Sequence, residues 1–454
     1  MSDDTCPTVA ILTLGCKLNQ ADSQALAREL LSRGCRVIQR PAPGPTGRPT
    51  LGPDAYVINS CSVTHVADRK SRHLARLARR LSPNATVILA GCYAESCGPD
   101  LGERLGADLV VTNGGKASLA QELLRRLGEG CLRRAPLPTG DGLRPDGRAS
   151  ARTRAFVKIQ EGCNEVCSFC VVPRTRGRER SVPVERVVTE VLARQAEGVQ
   201  EVVLTGTQLG NYGRDLESFD GPASLLAALL AQTAVPRLRL SSLQAQDINE
   251  GLLRLWDDPR LCRHFHLPLQ SGSDRVLAAM RRRYSARQFL AAASLIRERA
   301  PDVALTTDVM VGFPGETEND FQDTYRLCQD AGFAAIHVFP YSRRPGTAAA
   351  LMPDQVPPAV KRHRLERMLA LARASADAFR ARFQGQTMTV LWEEARPRRG
   401  ARTLWQGLTD NYLRVYTDAE NPAADPPRQD LTNLLLPTRL GRAAADGLWG
   451  ELLD

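Results

Sequence analysis

The sequence predicts an α/β protein in three parts: an N-terminal parallel α/β domain, a central partial (β/α)6 barrel and a small C-terminal β-barrel. Three observations lead there. Short apolar runs alternate with helical stretches up to about residue 125, and the alternation resumes after residue 152. Between the two, from 131 to 152, apolar periodicity disappears and Pro, Gly and Arg dominate. After residue 384 the helical period gives way to short alternating runs. At 454 residues the chain is also longer than one ordinary domain.

The N-terminal domain, 7–130, has apolar runs at 9–14, 56–59, 86–90 and 109–112, with helical stretches at about 23–33 and 67–81. Strands alternating with helices imply a parallel sheet covered by helices. The Pro- and Gly-rich segment 41–53 reads as a surface loop, and 131–152 as a linker. The core, 153–384, carries strands at 155–160, 201–205, 237–241, 264–267, 304–310 and 335–339, separated by helices such as 184–197 and 317–331. Six repeats are too few to close an eight-stranded barrel, so the barrel is open. A long helix at 361–383 leads out of it. The last part, 385–454, alternates at 387–392 and 412–416, as a small all-β module does.

Composition narrows the function. No apolar run approaches the roughly 20 residues that span a bilayer, and the acidic start is no secretory signal. A cytoplasmic protein without a membrane partner is expected. Its 12 cysteines then point to metal or redox chemistry rather than disulfides. The net charge of +10 suggests a polyanionic partner.

Cys163-Asn-Glu-Val-Cys167-Ser-Phe-Cys170 is a Cys-x3-Cys-x2-Cys motif directly after a strand, at the end of a β/α barrel where chemistry takes place. Three thiolates on one short loop can bind three irons of a [4Fe–4S] cluster and leave the fourth iron open. That open iron can chelate S-adenosylmethionine and support radical chemistry. The competing reading is a zinc loop, but structural zinc takes four ligands and no nearby Cys or His supplies the fourth.

A second pattern joins Cys16, Cys61 and Cys92. Each follows a strand of the first domain, behind a small residue: Leu-Gly-Cys, Asn-Ser-Cys and Ala-Gly-Cys. Parallel neighbours lie about 4.8 Å apart, so thiols at matching strand ends converge. Space beside a small residue suits a bulky inorganic core. Buried free cysteine is the competing reading, and it accounts for one such position better than for three. Cys6, Cys35, Cys97, Cys131, Cys262 and Cys328 lack a pattern.

These residues together resemble the methylthiotransferase family of radical S-adenosylmethionine enzymes. The resemblance runs through Thr13-Leu-Gly-Cys-Lys-Leu-Asn19, Val57-Ile-Asn-Ser-Cys61, Gly91-Cys-Tyr-Ala94 and Lys158-Ile-Gln-Glu-Gly-Cys163. It continues in His266-Leu-Pro-Leu-Gln-Ser-Gly-Ser273, Val311-Gly-Phe-Pro-Gly-Glu-Thr317 and Pro340-Tyr-Ser-Arg-Arg-Pro-Gly-Thr347. The C-terminal module resembles the RNA-binding TRAM domain of these enzymes. The resemblance implies two [4Fe–4S] clusters, the first held by Cys16, Cys61 and Cys92 and carrying sulfur, the second held by the Cys163 motif. It implies methylthio insertion at C2 of N6-threonylcarbamoyladenosine, position 37 of tRNA beside the anticodon, because Leu-Gly-Cys-Lys and Leu204-Thr-Gly-Thr-Gln-Leu-Gly-Asn-Tyr-Gly213 look most like that branch. Two other branches act on isopentenyladenosine in tRNA and on an aspartate of a ribosomal protein. A non-enzymatic alternative is an RNA-binding iron–sulfur sensor. Implied partners are tRNA, an electron donor of flavodoxin or ferredoxin type, and a sulfur source. Gln208 and Gln244 depart from the polar residues expected there.

Further candidates surround the second cysteine set. Phe169 sits between its last two cysteines, while Gly206, Gln270 and Asp308 lie at strand ends; all four are expected to contact the cofactor. Arg174, Arg176, Arg343 and Arg344 are expected on the rim, against tRNA phosphate, with Arg398 and Arg399 of the terminal module. Trp392, Trp405 and Tyr412 are read as core or as stacking platforms for RNA bases. Arg281-Arg-Arg283 reads as a solvated charge run.

Overall fold

The computed structural model describes residues 6–38, 52–98, 100–128, 153–217, 221–396, 403–418 and 430–453. The expected linker at 131–152 and nearly all of the loop at 41–53 lie outside the described residues. The chain forms two compact units, and the cysteine loop contributes to both. The first holds the N-terminal domain together with 161–165 and 170–179; the second holds the rest, including 166–169 and the C-terminal module.

In the first unit five strands form a parallel sheet: β1 (Thr8–Thr13), β2 (Arg36–Ile38), β3 (Ala55–Ser60), β4 (Thr86–Gly91) and β5 (Leu109–Val111), in the order β2-β1-β3-β4-β5. Side chains alternate between faces along a strand. Val9, Ile11, Val57 and Ile88 accordingly pack with Leu26 and Leu30 of helix α1 (Lys17–Ser32), whereas Ala10, Tyr56, Ile58, Val87 and Leu89 pack with Ala75 and Ala78 of α2 (His65–Leu81). Short helices α3 (Cys92–Ser96) and α4 (Leu101–Leu105) and the longer α5 (Leu119–Leu127) complete the layers. Two features differ from the sequence reading. The edge strand β2 is three residues long, too short to leave a periodic signal. Helix α1 starts six residues before the expected 23 because its first turns bury Asn19, Ser23 and Gln24, polar residues that hide the inner face from an apolar pattern.

In the second unit six parallel strands form two three-stranded sheets. The first has β6 (Arg154–Lys158), β9 (Glu201–Thr205) and β10 (Arg237–Leu240); the second has β11 (His264–His266), β12 (Ala304–Val311) and β13 (Ala335–Pro340). The two meet at a single parallel bridge, Leu238 to Leu261. The result is the open, partial barrel expected from six repeats. Two-residue strands β7 (Gln160–Glu161) and β8 (Arg180–Ser181), with helix α6 (Val172–Arg176), accompany the cysteine loop. Helices α7 (Val184–Ala196), α8 (Gly221–Gln232), α9 (Glu250–Leu253), α10 (Asp274–Ala279), α11 (Ala286–Arg299) and α12 (Glu318–Ala331) occupy the positions between barrel strands. Thr317 and Asp320 form a reciprocal cap that starts α12.

Helix α13 (Pro358–Ala381) leads to a closed five-stranded barrel of β14 (Thr387–Arg396), β15 (Leu404–Thr409), β16 (Arg414–Thr417), β17 (Leu435–Ala443) and β18 (Leu448–Leu452). Phe379, in the last turn of α13, and Phe383, just after it, share its core with Trp392, Trp405, Val415 and Leu440. Each such aromatic contributes roughly 1.5–3 kcal/mol by burial, so the helix and the barrel are fastened by apolar packing.

The turn between β15 and β16 enters the floor of the open barrel, at the N-terminal ends of its strands. Arg239 holds Glu201 with both Nε (2.8 Å) and Nη2 (3.0 Å), while its Nη1 donates to the Asp410 carbonyl at 2.7 Å. The Tyr412 ring lies 3.9 Å beneath the Arg239 guanidinium and meets His264 edge-on. Arg263 pairs with Asp410, Arg154 pairs with Glu393, and Arg237 donates to the carbonyls of Leu408 and Thr389. Burial alone would raise the Glu201 carboxyl, but the surrounding guanidiniums hold it below its ordinary value. No helix among the described residues is long and apolar enough to cross a membrane.

Candidate active site built on two sets of cysteines

The loop after β6 and β7 carries Cys163, Cys167 and Cys170. Gly162 opens it at φ +79°, and a Cβ there would run into the Arg178 carbonyl, so only glycine fits. The Cys163 amide donates to the Gly177 carbonyl at 3.1 Å, which fixes the loop's first turn. Each thiol already meets a donor. Cys163 Sγ accepts from the Glu165 amide (3.3 Å), Cys170 Sγ from the Val172 amide (3.4 Å) and Cys167 Sγ from Arg282 Nη1 (3.4 Å). Such donors suit thiolate ligands of an iron–sulfur cluster better than free thiols. Burial pushes the Cys163 thiol up to about 12, against the Glu165 amide and with help from the charges of Glu165, Cys170 and Glu179. It is therefore protonated when unligated, and a metal must displace the proton. The donor set fits a three-cysteine cluster.

Arg282 is a residue that the sequence reading left among solvated charges. Arg281 and Arg283 are exposed, as expected, but Arg282 is only partly so. Burial opposes its charge; Tyr284 and Cys167 outweigh that and hold it firmly protonated. Its Nη2 donates to Gln244 Oε1 at 2.7 Å, which gives the unexpected Gln244 a structural role. Gln208, the other departure, is buried beside Gln160, whose Oε1 accepts from the amides of Thr207 and Gln208.

The cofactor candidates fall in different settings. Phe169 is half-buried against Val276, Met280, Phe313 and Tyr341. A Cβ on Gly206 would come within 2.6 Å of Leu209 Cδ2 and 3.0 Å of Gln160 Oε1, so a larger residue there would have to displace the Leu209 side chain. Gln270 takes a left-handed conformation at φ +65°, and its backbone is pinned to β12 by the Asp308 carbonyl and the Met310 amide. Asp308 reaches His266 Nε2 at 3.3 Å, and the other ring nitrogen of His266 meets Thr306 Oγ1 at 3.0 Å.

Cys16, Cys61 and Cys92 lie at the C-terminal ends of β1, β3 and β4, three adjacent strands. Cys16 is exposed at the N-cap of α1, while Cys61 and Cys92 are buried. Burial first, then the neighbouring Cys16 and Cys92, push the Cys61 thiol up to about 11; the Val63 amide and Arg176 oppose them. These three cysteines, at the ends of adjacent strands and with one open to solvent, are the residues that would hold a second cluster of the same kind. The small residues before them serve a different purpose from the one the sequence suggested. A Cβ on Gly15, which has φ +93°, would lie 2.7 Å from both Cβ and Sγ of Cys61; the room at Gly15 is taken by the second cysteine itself. Ser60 donates to the Ala90 carbonyl at 2.5 Å and accepts from the Tyr93 amide at 3.2 Å, tying the ends of β3 and β4 together. Gly15→Ala should thus strain the backbone by about 1–3 kcal/mol and displace Cys61. The expected outcome is loss of the iron bound at this site, measured by iron content in a protein that keeps its second set of cysteines.

Several expectations are corrected. Arg176 is not a rim contact: it is 5% exposed, donates to Glu161 at 2.7 Å and to Asn19 Oδ1 at 2.5 Å, and lies near Asp22. Burial opposes its charge, but Cys92, Cys16, Asp22 and Glu161 keep it protonated, so it serves as a cation beside the first cysteine set. Asn19 in turn donates to the carbonyls of Leu14 and Ser60, holding the strand ends that carry Cys16 and Cys61. Asn113 donates to Cys92 Sγ at 3.7 Å and to the Thr175 carbonyl at 2.6 Å. Arg344 is also buried, at 6% exposed, whereas Arg174 and Arg343 are exposed. Trp392 and Trp405 are buried and the half-buried Tyr412 has its ring against the Arg239 guanidinium, so none is a stacking platform. Arg398 and Arg399 lie outside the described residues.

Residues 157–328 match the radical SAM superfamily, and residues 8–112 match the Uncharacterized protein family UPF0004. The radical S-adenosylmethionine methyltransferase TsrM of Kitasatospora setae shares the fold, with a TM-score of 0.52 at 16% identity over 76% of this chain and 77% of that one. An open β/α barrel with a Cys-x3-Cys-x2-Cys loop at its catalytic end defines a radical S-adenosylmethionine enzyme. The relatives are narrower. The chain is 35% identical to "Threonylcarbamoyladenosine tRNA methylthiotransferase MtaB" of Bacillus subtilis, over 90% of each chain. It is also 35% identical to "tRNA-2-methylthio-N(6)-dimethylallyladenosine synthase" of Syntrophobacter fumaroxidans, over 98% of this chain and 95% of that one. This chain belongs to the methylthiotransferase family of radical S-adenosylmethionine enzymes.

Proposed function

We propose that this protein inserts a methylthio group at C2 of N6-threonylcarbamoyladenosine at position 37 of tRNA, with two [4Fe–4S] clusters and S-adenosylmethionine. The observation that carries the reading is the presence of two separate three-cysteine sets at C-terminal strand ends, where a simple radical enzyme needs one. Cys163, Cys167 and Cys170 hold the cluster that binds S-adenosylmethionine; Cys16, Cys61 and Cys92 hold the one that carries sulfur. Carbon 2 of adenine is an unactivated aromatic C–H that polar nucleophiles do not attack at neutral pH, and the cofactor pair supplies one-electron chemistry able to open it. Phe169, Gly206, Gln270 and Asp308 line the cofactor's side of the site. An anticodon-loop purine unstacks readily and enters as an extruded base. The carboxylate of the threonylcarbamoyl group pairs with an exposed rim arginine, Arg343 or Arg174, and Arg398 and Arg399 contact tRNA phosphate.

The domain division follows these roles: 7–130 for the sulfur-carrying cluster, 153–384 for the radical core and 385–454 for tRNA. A flavodoxin- or ferredoxin-type donor and a sulfur source complete the cycle in the cytoplasm. Mass spectrometry of tRNA nucleosides tests the proposal. Cells lacking the protein should accumulate N6-threonylcarbamoyladenosine and lose its 2-methylthio derivative. Loss of 2-methylthio-dimethylallyladenosine instead, with the threonylcarbamoyl nucleosides unchanged, would transfer the chain to the second type of relative.

A further inference from the structure

Arg282 belongs to neither cysteine motif, yet its guanidinium reaches Cys167, 115 residues away in sequence. All of its nitrogens are placed. Nη1 lies 3.4 Å from Cys167 Sγ, Nη2 lies 2.7 Å from Gln244 Oε1 and Nε lies 3.1 Å from the Tyr284 hydroxyl. The supports are themselves fixed. Gln244 caps the short turn at Ala245–Asp247 through its own amide and Asp247, and it also accepts from Gln246 Nε2 at 3.1 Å. Tyr284 is buried and donates to the carbonyls of Pro268 and Leu269. Its ring also faces the guanidinium, 4.9 Å from centroid to Cζ.

None of the three hydrogen-bond partners is a carboxylate. Two neutral groups, the Gln244 amide and the Tyr284 hydroxyl, therefore hold the guanidinium in place while its remaining arm is aimed at the Cys167 sulfur. An arginine serving only the fold would be expected to find carbonyls or a carboxylate, as Arg260 does with Asp258, Thr233 and Leu230.

We propose that Arg282 is a positioning residue that raises the reduction potential of the cluster ligated by Cys167, with Gln244 and Tyr284 holding its guanidinium against the sulfur. The inference rests on Cys167 being a cluster ligand. A donor and a positive charge at a ligating sulfur stabilise the more negative, reduced cluster, so their loss makes reduction harder. A radical enzyme must take up this electron from a cellular donor before it can act on S-adenosylmethionine. The departure at Gln244 is part of the same device, because a shorter polar side chain there would not reach Nη2 from the same backbone.

The test is a redox titration of the reconstituted holoenzyme, following by electron paramagnetic resonance the reduced-cluster signal that Cys167→Ala abolishes. If Cys167→Ala abolishes no signal, the ligand assignment fails and the inference with it. With the assignment intact, Arg282→Met should lower the reduced-to-oxidised ratio at a fixed potential about tenfold, equivalent to about 59 mV for a one-electron couple. Arg282→Lys, which keeps the charge without the planar fork, should fall between Met and wild type, and Gln244→Ala should shift the ratio in the same direction by less. Wild-type ratios in an Arg282→Met protein with full iron content would overturn the proposal. Should Arg282→Met fail to retain the cluster, Arg282→Lys and Gln244→Ala decide it: unchanged ratios in both overturn it, and graded shifts support it.

Discussion

A protein in which Cys163, Cys167 and Cys170 are all replaced by Ala should keep about half of its iron and form no 5′-deoxyadenosine from S-adenosylmethionine. The two cysteine sets draw on different strands, Cys16, Cys61 and Cys92 on the ends of β1, β3 and β4 and the other three on the loop after β6, so removing one donor set leaves the other's scaffold in place. The converse triple variant, Cys16, Cys61 and Cys92 to Ala, should still form 5′-deoxyadenosine but transfer no sulfur. Iron analysis and product chromatography read both results. Retained 5′-deoxyadenosine in the first variant, or methylthio product from the second, would reverse the assignment of the two sets.

The cysteines were legible because their chemistry is written in local spacing. Three thiols within eight residues need no tertiary information to be brought together, and thiols following successive strands need only the rule that parallel strands align their ends. The alternation of strands and helices was equally plain, and so was the shortage of repeats that leaves the barrel open. What escaped was carried by long-range pairing. Arg282 and Cys167 are 115 positions apart, and nothing in Arg281-Arg-Arg283 separates the middle arginine from its neighbours. Arg176 follows the cysteine loop so closely that a rim position was the natural reading; its partner Asn19 is 157 positions away. The start of α1 was obscured for a related reason, since a helix face that buries Asn19, Ser23 and Gln24 to hold strand ends together has no apolar period to read. The glycine at position 15 was noticed, but its reason was misassigned, because only the fold reveals that Cys61 fills the space.

The terminal module shows the same contrast between composition and placement. Aromatics beside arginines suggested an RNA platform, yet Tyr412 is packed under Arg239 and Trp392 fills the module's own core. The module is the floor of the catalytic barrel as well as a neighbour of it. A truncation at residue 384 would therefore uncover Arg237, Arg239 and Arg263, which lose Leu408, Thr389 and Asp410 as partners. Loss of tRNA binding in such a truncation would report a damaged core as readily as a missing RNA contact.

Glu201→Gln should destabilise the second unit by about 3–5 kcal/mol, the cost of leaving a buried charge without its partner. The Glu201 and Arg239 side chains are both 0% exposed, and the pair is bidentate at 2.8 and 3.0 Å. An amide of the same shape retains one acceptor but removes the countercharge, and Arg239, held protonated by its surroundings, cannot escape by losing its proton. At about 2 °C or more per kcal/mol in a unit of this size, the melting temperature should fall by roughly 6–10 °C. Two further variants separate charge from packing. Glu201→Met combined with Arg239→Met removes both ions while keeping similar volume, and should recover part of the loss, because a buried pair is often replaceable by apolar residues. Tyr412→Phe keeps the ring beneath Arg239 and removes the hydroxyl that accepts from Arg154, so its cost should stay near 1 kcal/mol. A Glu201→Gln protein that melts within a degree of wild type would mean that the floor is held by its backbone carbonyls and apolar packing, with the ion pair contributing little. The ordering Glu201→Gln worst, double variant intermediate and Tyr412→Phe mildest is what a charge-locked floor requires.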